Sequence, residues 1–233
     1  MIRAILLVAG ETIITPVEPL PARLHGAFTA RGVPGLTIDR VRAAIDDSWA
    51  LVGSLAPPGV ERYRTKPGGS VQYWREMLLD VASRMGARLS DAEAEATYFS
   101  LCEPHSWRVF PEVKETLAAL RARGYALAIA SNWDRGLPDI LRGLGLLDDF
   151  AALGVSEIVG HEKPGAAFFE HILAELGVGP EEAVHVGDRL VDDVEGATGA
   201  GLGAYLIDRN RAHPDAPWVL RSLGDLLDCL PAS

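Results

Sequence analysis

The fold is decided by the stretch Ile2-Arg3-Ala4-Ile5-Leu6-Leu7-Val8-Ala9-Gly10-Glu11-Thr12. Its apolar run has the length of a strand and ends in a turn that contains glycine. A nearly continuous apolar strand is typical of the centre of a parallel sheet, where both faces are covered. In open α/β sheets the functional groups lie where such strands end, so Val8 to Thr12 should line a site. These five residues include one carboxylate, Glu11.

The composition indicates a globular protein with a sizeable core. The 233 residues are 48% hydrophobic and 23% charged, and the net charge is −10. This acidic balance argues against nucleic-acid binding, which depends on basic patches. We expect no signal peptide, because no small-residue cleavage site follows the early apolar run, and no membrane span, because no stretch approaches the length of a transmembrane helix. Cys102 and Cys229 are far apart in the chain, which favours a reduced pair and a cytoplasmic location.

The order of patterns along the chain predicts two parts. Residues 15–105 carry helical patterns only, whereas from Trp107 onward helices and strands alternate. Alternation of this kind predicts a doubly wound parallel sheet. We therefore predict an α/β core formed by residues 1–14 and 106–233, with residues 15–105 inserted as a helical cap over the site.

Several boundaries follow from local signals. Pro57-Pro58-Gly59 should end the second cap helix, and the polar stretch Glu61 to Gly69 should be a loop. Ser70 is the expected N-cap of the next helix, and Ser90-Asp91-Ala92-Glu93 is a capping-box pattern. An amphipathic helix is expected to close the chain over Val219 to Leu230.

Polar residues follow the later strands. Ser131 could bond a phosphate oxygen or cap the next helix, and Lys163 could neutralise an anion or be solvated. Asp188 and Asp193 could face one hard cation, or else favour a helix N-terminus. The residues alone leave each pair of alternatives open.

Taken together, these segments resemble the haloacid dehalogenase (HAD) superfamily of phosphatases, dehalogenases and related hydrolases. The resemblance covers nearly the whole chain. It is carried by Ala130-Ser131-Asn132, by Glu162-Lys163-Pro164 and by the run from His185 to Asp193. It implies a Rossmann-like core, with a helical cap inserted after the first motif.

The resemblance also implies roles for particular residues. Family members end the first strand in Asp-x-Asp-Gly-Thr, where the first Asp is the nucleophile and the second the general acid/base. This chain has Val8 and Gly10 at those positions and matches the family at Thr12. The family pattern further implies that Ser131, Asn132 and Lys163 hold the phosphoryl group. Asp188 and Asp193 would then hold Mg²⁺, weakly because the first Asp is missing.

Valine has no lone pair with which to attack phosphorus or carbon, so the sequence predicts absent or severely weakened activity. Three hypotheses remain. The protein could bind a small anionic or phosphorylated molecule without turnover, and Lys163 would then be freer to pair with the anion. It could be a hydrolase that uses Glu11 or a metal-activated water. It could instead be a structural or oligomerising protein with a vestigial site, and the sequence leaves the oligomeric state open.

Overall fold

The computed structural model describes residues 1–53 and 60–230. The strands found in these ranges are β1 (Ala4–Leu7), β2 (Ile14–Pro16), β3 (Trp107–Val109), β4 (Ala126–Ser131), β5 (Ala152–Val155), β6 (Ala183–Gly187), β7 (Gly203–Ile207) and β8 (Val219–Leu220). Six of them form one sheet in the order β5-β4-β1-β6-β7-β8, and every neighbouring pair is parallel.

The helices in the described ranges are α1 (Leu20–Ala30), α2 (Ile38–Gly53), α3 (Gly69–Arg84), α4 (Asp91–Cys102), α5 (Val113–Ala122), α6 (Leu137–Gly143), α7 (Ser156–Val159), α8 (Ala166–Leu176), α9 (Gly196–Gly199) and α10 (Leu226–Cys229). No helix in the described ranges is long and apolar enough to cross a membrane. The predicted doubly wound α/β fold is confirmed.

The central strand β1 is covered on both faces, as its apolar sequence predicted. Ile5 and Leu7 enter one core together with α5, α6 and α10, whereas Ala4 and Leu6 enter a second core with α8 and α9. All four side chains are fully buried. Because successive side chains of a strand point to opposite faces, an unbroken apolar run is what this position requires.

Helices α1 to α4 pack around an apolar cluster of their own. Phe28, Val41, Tyr73 and Leu78 are buried in it, and Trp74 packs against it while partly buried. The predicted apolar stripes of these helices therefore face one another. The division of the chain at residues 15 and 105 stays a prediction.

Two kinds of contact connect these helices to the sheet. The short antiparallel pair β2–β3 joins the two ends of the helical segment, with Ile14 opposite Val109. A second connection was not foreseen, because Val60 forms an antiparallel bridge with His161. The stretch from Glu61 to Gly69 is mostly the predicted loop up to the start of α3, but it contains a 3₁₀ turn at Tyr63–Thr65 and its Glu61 is fully buried.

Three predicted boundaries have different outcomes. The Ser90 capping box is present, with Ser90 N donating to Glu93 Oε2 at 2.8 Å. Ser70 is not an N-cap, because α3 begins at Gly69 and the Ser70 N–H instead donates to Glu157 Oε1 at 3.1 Å. The predicted end of α2 at Pro57-Pro58-Gly59 lies outside the described residues.

The predicted closing helix over Val219 to Leu230 is wrong in its first half. Val219 and Leu220 form the edge strand β8, paired in parallel with β7. Asp225 then accepts from the N–H groups of Arg221 and Ser222 and starts the short turn that leads into α10. Pairing with a distant strand outweighed the local helical pattern here.

Candidate functional site

The strand-end residues singled out from the sequence gather around one cavity of about 370 Å³. It lies at the carboxyl ends of β1, β4 and β6, beneath the helices of the segment 15–105. The predicted residues that line it are Val8, Gly10, Glu11, Ser131, Asn132, Lys163, Asp188 and Asp193. Thr12 does not line the cavity, and its buried hydroxyl has no hydrogen-bond partner among the described residues.

Val8 occupies the wall where β1 ends. Its N–H donates to Val186 O at 3.0 Å, which continues the pairing with β6, and its side chain is 7% exposed. A β-carbon at Gly187 would lie 2.6 Å from Val8 Cγ2 and 2.2 Å from Asp193 Oδ2. The isopropyl group of Val8 is therefore packed closely against Gly187, beside the acidic groups of the site.

Lys163 and Asp193 form a buried ion pair. Lys163 Nζ donates to Asp193 Oδ1 at 2.6 Å and to Ala130 O at 2.8 Å, and both side chains are almost fully buried. Asp193 Oδ2 accepts from the Arg189 N–H at 2.8 Å, and His185 Nε2 lies 3.3 Å from Oδ1. The nearby Lys163 ammonium holds the pKa of the Asp193 carboxyl well below its usual range, in spite of burial.

This pairing corrects one expectation. The loss of an Asp at position 8 does not leave Lys163 free for an anion, because Asp193 neutralises it. The reason is distance in the fold: residues 163 and 193 are thirty positions apart, and no local pattern shows that they meet.

Asn132 acts on the protein backbone. Its Nδ2 donates to Lys163 O at 2.9 Å, and its Oδ1 accepts from the Lys163 N–H at 2.8 Å. Both polar atoms of the Asn132 amide therefore form hydrogen bonds with the Lys163 backbone. These two bonds fix the loop that carries the lysine. Ser131, buried at the end of β4, is one of the polar side chains that line the cavity.

The family implies Mg²⁺, and the donors present do not fit this ion as they stand. Val8 offers no oxygen from its side chain, and both oxygens of Asp193 already accept hydrogen bonds. Asp188 remains, and burial together with the neighbouring Asp193 raises its pKa to about 6. In the described part of the chain no three His, Cys, Asp or Glu side chains gather as a metal-binding group. Mg²⁺ needs a near-octahedral set of oxygens, usually with one or two carboxylates.

The turn after β1 engages the Glu11 side chain and backbone in hydrogen bonds of its own. Glu11 has φ +55°, in the left-handed region, and its Oε1 accepts from Thr15 Oγ1 at 3.1 Å. Arg209 donates to the carbonyl oxygens of Glu11 and Thr12 and so braces the turn. A non-glycine residue in this conformation is strained by roughly 1 kcal/mol, which the brace offsets. The turn is therefore fixed from outside the site.

A polar latch joins the helical segment to the loop that carries Lys163. Arg62 donates from Nε to Glu162 Oε2 at 2.8 Å, from Nη2 to Oε1 at 3.1 Å, and from its backbone N–H to Oε2 at 3.1 Å. Arg64 adds bonds to the carbonyl oxygens of Glu157 and Ile158. No local sequence pattern indicates this latch, because Arg62 and Glu162 are about one hundred residues apart in the chain.

We expect Glu162→Gln to weaken this latch. Arg62 would keep a neutral acceptor but lose its charged partner in a largely buried place, which should lower stability by roughly 2 kcal/mol. Thermal unfolding should show a fall in Tm of about 4–8 °C. Glu170→Gln, at an exposed position of α8, is the control and should leave the Tm unchanged. Equal melting temperatures for both variants would contradict the role of the latch.

Asp134 is a site residue that no sequence pattern singled out. It follows Ser131-Asn132-Trp133 directly, it is 4% exposed, and it lines the cavity. Its Oδ1 accepts from the Gly136 N–H at 2.8 Å. Burial, and to a lesser extent the Glu157 carboxylate, raises the pKa of Asp134 to about 6. The titratable and charged groups around it are Tyr63, Tyr98, Cys102, Arg135 and Glu157.

The raised pKa predicts that Asp134→Asn stabilises the protein, and more so at high pH. The carboxyl ionises near 3.8 in the unfolded chain and near 6 in the folded one. Its cost is therefore absent below pH 4, grows between pH 4 and 6, and is complete above pH 6, at about 2–3 kcal/mol. Urea unfolding at pH 4.5 and pH 8 measures this difference.

Asparagine keeps an oxygen that can accept from Gly136, so the helix start should survive in this variant. Asp139→Asn removes an exposed carboxylate of α6 and should change stability little at either pH. A loss of stability in Asp134→Asn that is the same at both pH values would contradict the assignment of the raised pKa.

The fold and the arrangement of the site define a class: an α/β protein with a doubly wound sheet, a ligand cavity at its strand ends, and a Ser, a Lys and an Asp on consecutive strand-end loops. The sequence profile of haloacid dehalogenase-like hydrolases matches residues 27–201, and the chain belongs to this family. The match begins after Val8 to Thr12, the stretch that departs from the family motif.

Curated relatives cover most of the chain. It is 35% identical over 162 residues to haloacid dehalogenase-like hydrolase domain-containing protein 3 of Danio rerio. The aligned residues make up 66% of this chain and 67% of that protein. It is also 35% identical over 191 residues to a phosphoserine phosphatase of Thermus thermophilus. This alignment covers 79% of this chain and 72% of the relative.

Solved structures agree on the fold. A HAD phosphatase from Thermococcus onnurineus is 25% identical to this chain and superposes with a TM-score of 0.63. The match covers 99% of each of the two chains. An L-2-haloacid dehalogenase from Xanthobacter autotrophicus, with chloropropionic acid covalently bound, is 21% identical, with a TM-score of 0.69 and 97% of each chain covered. The latter likeness concerns the fold alone.

Proposed function

We propose that this protein binds a small phosphorylated molecule at the strand ends of its HAD-like core and does not turn it over. One observation carries the proposal: the side chain at the end of β1 is Val8, packed beside Gly187 and Asp193 in the cavity wall. The covalent chemistry of the family needs a nucleophile at this point. Loss of such a group costs many orders of magnitude in rate.

The choice of ligand is supported by the relatives and by two side chains. A phosphoserine phosphatase and glyceraldehyde 3-phosphate phosphatases are among the similar proteins. Ser131 and Lys163 line the cavity on neighbouring loops. Because Lys163 already pairs with Asp193, we expect the affinity for a phosphate group alone to be weak, with most binding coming from the rest of the ligand.

Hydrolysis by other means is the second candidate. It would use Glu11 or a metal-activated water, and the bond from Thr15 to Glu11 together with the occupied oxygens of Asp193 speaks against both routes. A protein with a vestigial site is the third candidate, and it would bind no phosphorylated compound. We place residues 15–105 as the cap over the site. We also infer a cytoplasmic location, since both cysteines are free.

Turnover and binding assays separate these candidates. With p-nitrophenyl phosphate and Mg²⁺ we expect no release of product, and calorimetry with Mg²⁺ alone should show weak or absent binding. Phosphoserine should bind in the millimolar range, and more weakly to Ser131→Ala. Turnover at ordinary enzyme rates that Glu11→Gln abolishes would overturn the proposal in favour of the second candidate. Absence of phosphoserine binding would favour the third.

A further inference from the structure

The end of the cavity that faces the helical segment is walled by aromatic rings. Trp49, Tyr63, Trp74 and Tyr98 all line it. Three of these rings contact one another: Trp49 meets Trp74 edge-on with centroids 5.1 Å apart, and Trp74 stacks on Tyr98 at 5.9 Å. Tyr63 contacts the ring of Tyr73 instead, with centroids 5.0 Å apart. A cavity of about 370 Å³ is within the range that holds a small organic molecule.

Asp134 is the acidic group at this end. One of its oxygens accepts from the Gly136 N–H, and in the described ranges no Lys, Arg or His side chain forms an ion pair with its carboxylate. Its neighbour Glu157 differs, because Glu157 pairs with Arg135 and accepts from the Ser70 N–H. An aspartate is rarely buried to this degree without a paired cation, so Asp134 is an unusual charge at this end of the cavity.

The rest of the cavity adds negative charge. Five carboxylates line it, and the two basic side chains are Lys163 and Arg189. Each of these cations already pairs with an aspartate, Lys163 with Asp193 at 2.6 Å and Arg189 with Asp192 at 2.8 Å. The region of the cavity around Asp134, where no cation of the described residues pairs with the carboxylate, therefore attracts a positive group more than a negative one.

We propose that Asp134 and the aromatic rings around it form a subsite for an organic cation, an ammonium group carried on an apolar body. The carboxylate supplies the opposite charge, and the ring faces attract the ammonium through their quadrupoles. The apolar body of the ligand then fills the remainder of the aromatic end. This inference does not rest on the proposed phosphate site, since it concerns Asp134 and the aromatic rings and not Ser131 and Lys163, and it is tested with compounds that carry no phosphate.

Three probes of similar size test the sign of the charge: benzyltrimethylammonium, benzyl alcohol and benzoate. Binding to the full chain at pH 7.5 is measured by calorimetry and by quenching of tryptophan fluorescence. We expect the cation to bind about tenfold more tightly than the alcohol, and benzoate to bind most weakly. Equal affinities for the three probes, or no saturable binding of the cation at millimolar concentration, would overturn the proposal.

Two variants assign the effect to its residues. Asp134→Asn should weaken binding of the cation about tenfold and leave binding of benzyl alcohol unchanged, because only the charge is removed. Trp74→Leu should weaken both. Asp139→Asn removes an equal charge from the surface of α6 and should change neither, which excludes a general effect of the protein's net charge. Circular dichroism checks that the Asp134→Asn variant is folded. If the folded variant binds the cation as tightly as the original protein, the assignment to Asp134 is wrong.

Discussion

Val8→Asp should give the protein Mg²⁺ binding and detectable phosphatase turnover, neither of which we expect of the original protein. The substitution places a carboxylate at the end of β1, in the wall that also contains Ser131, Lys163 and Asp188. The preorganised charges of such a site usually make the largest contribution to catalysis. Without metal the variant should be less stable, because a charge replaces a packed apolar group near Asp188 and Asp193.

Metal binding supplies a readout that does not depend on activity. Magnesium chloride should raise the Tm of Val8→Asp and leave that of the original protein unchanged, since a ligand of the native state stabilises it by mass action. Val8→Asn has nearly the same shape without the charge and should show neither effect. If Val8→Asp folds and binds Mg²⁺ but stays inert, the site has diverged beyond its first motif.

The second motif position adds a steric condition. Gly10→Asp should restore the general acid/base, a contribution of about 10²–10⁴-fold. A β-carbon at Gly10 would lie 3.1 Å from Trp133 Cζ3, which is closer than ordinary contact. We therefore expect the full gain of Val8→Asp with Gly10→Asp to require that the Trp133 ring moves by a few tenths of an ångström. Adding Trp133→Leu should increase the rate further, and a decrease would show that the ring is not the obstacle.

Lys163→Met should be strongly destabilising. The substitution removes the cation beside Asp193, whose side chain is only 1% exposed. It leaves the buried carboxylate without its main partner. Breaking a buried ion pair from one side costs about 3–5 kcal/mol, and urea unfolding at pH 7 measures the loss.

A second substitution separates the ion pair from simple packing. Lys163→Met with Asp193→Asn should recover part of the stability, because the unpaired charge is gone. Arg142→Met breaks the exposed pair with Asp139 and should cost at most about 1 kcal/mol. If Lys163→Met costs no more than Arg142→Met, the ion pair does not hold the site together as described.

The sequence alone determined the order of the elements and the edge of the sheet where the site lies. The apolar run of β1 requires cover on both faces, and the alternation after Trp107 requires parallel strands. Parallel strands end at one edge, so Val8, Ser131 and Asp188 had to meet there. These arguments use neighbours along the chain, and for that reason they could be made without coordinates.

The tertiary structure decided what those residues do to one another. The bonds between Lys163 and Asp193, between Arg62 and Glu162, and from Asn132 to the Lys163 backbone join positions thirty to one hundred residues apart. The edge strand β8 and the burial of Asp134 beneath aromatic rings likewise depend on distant partners. Burial and charge pairing set the pKa and the availability of each group, and both arise only when separate parts of the chain come together.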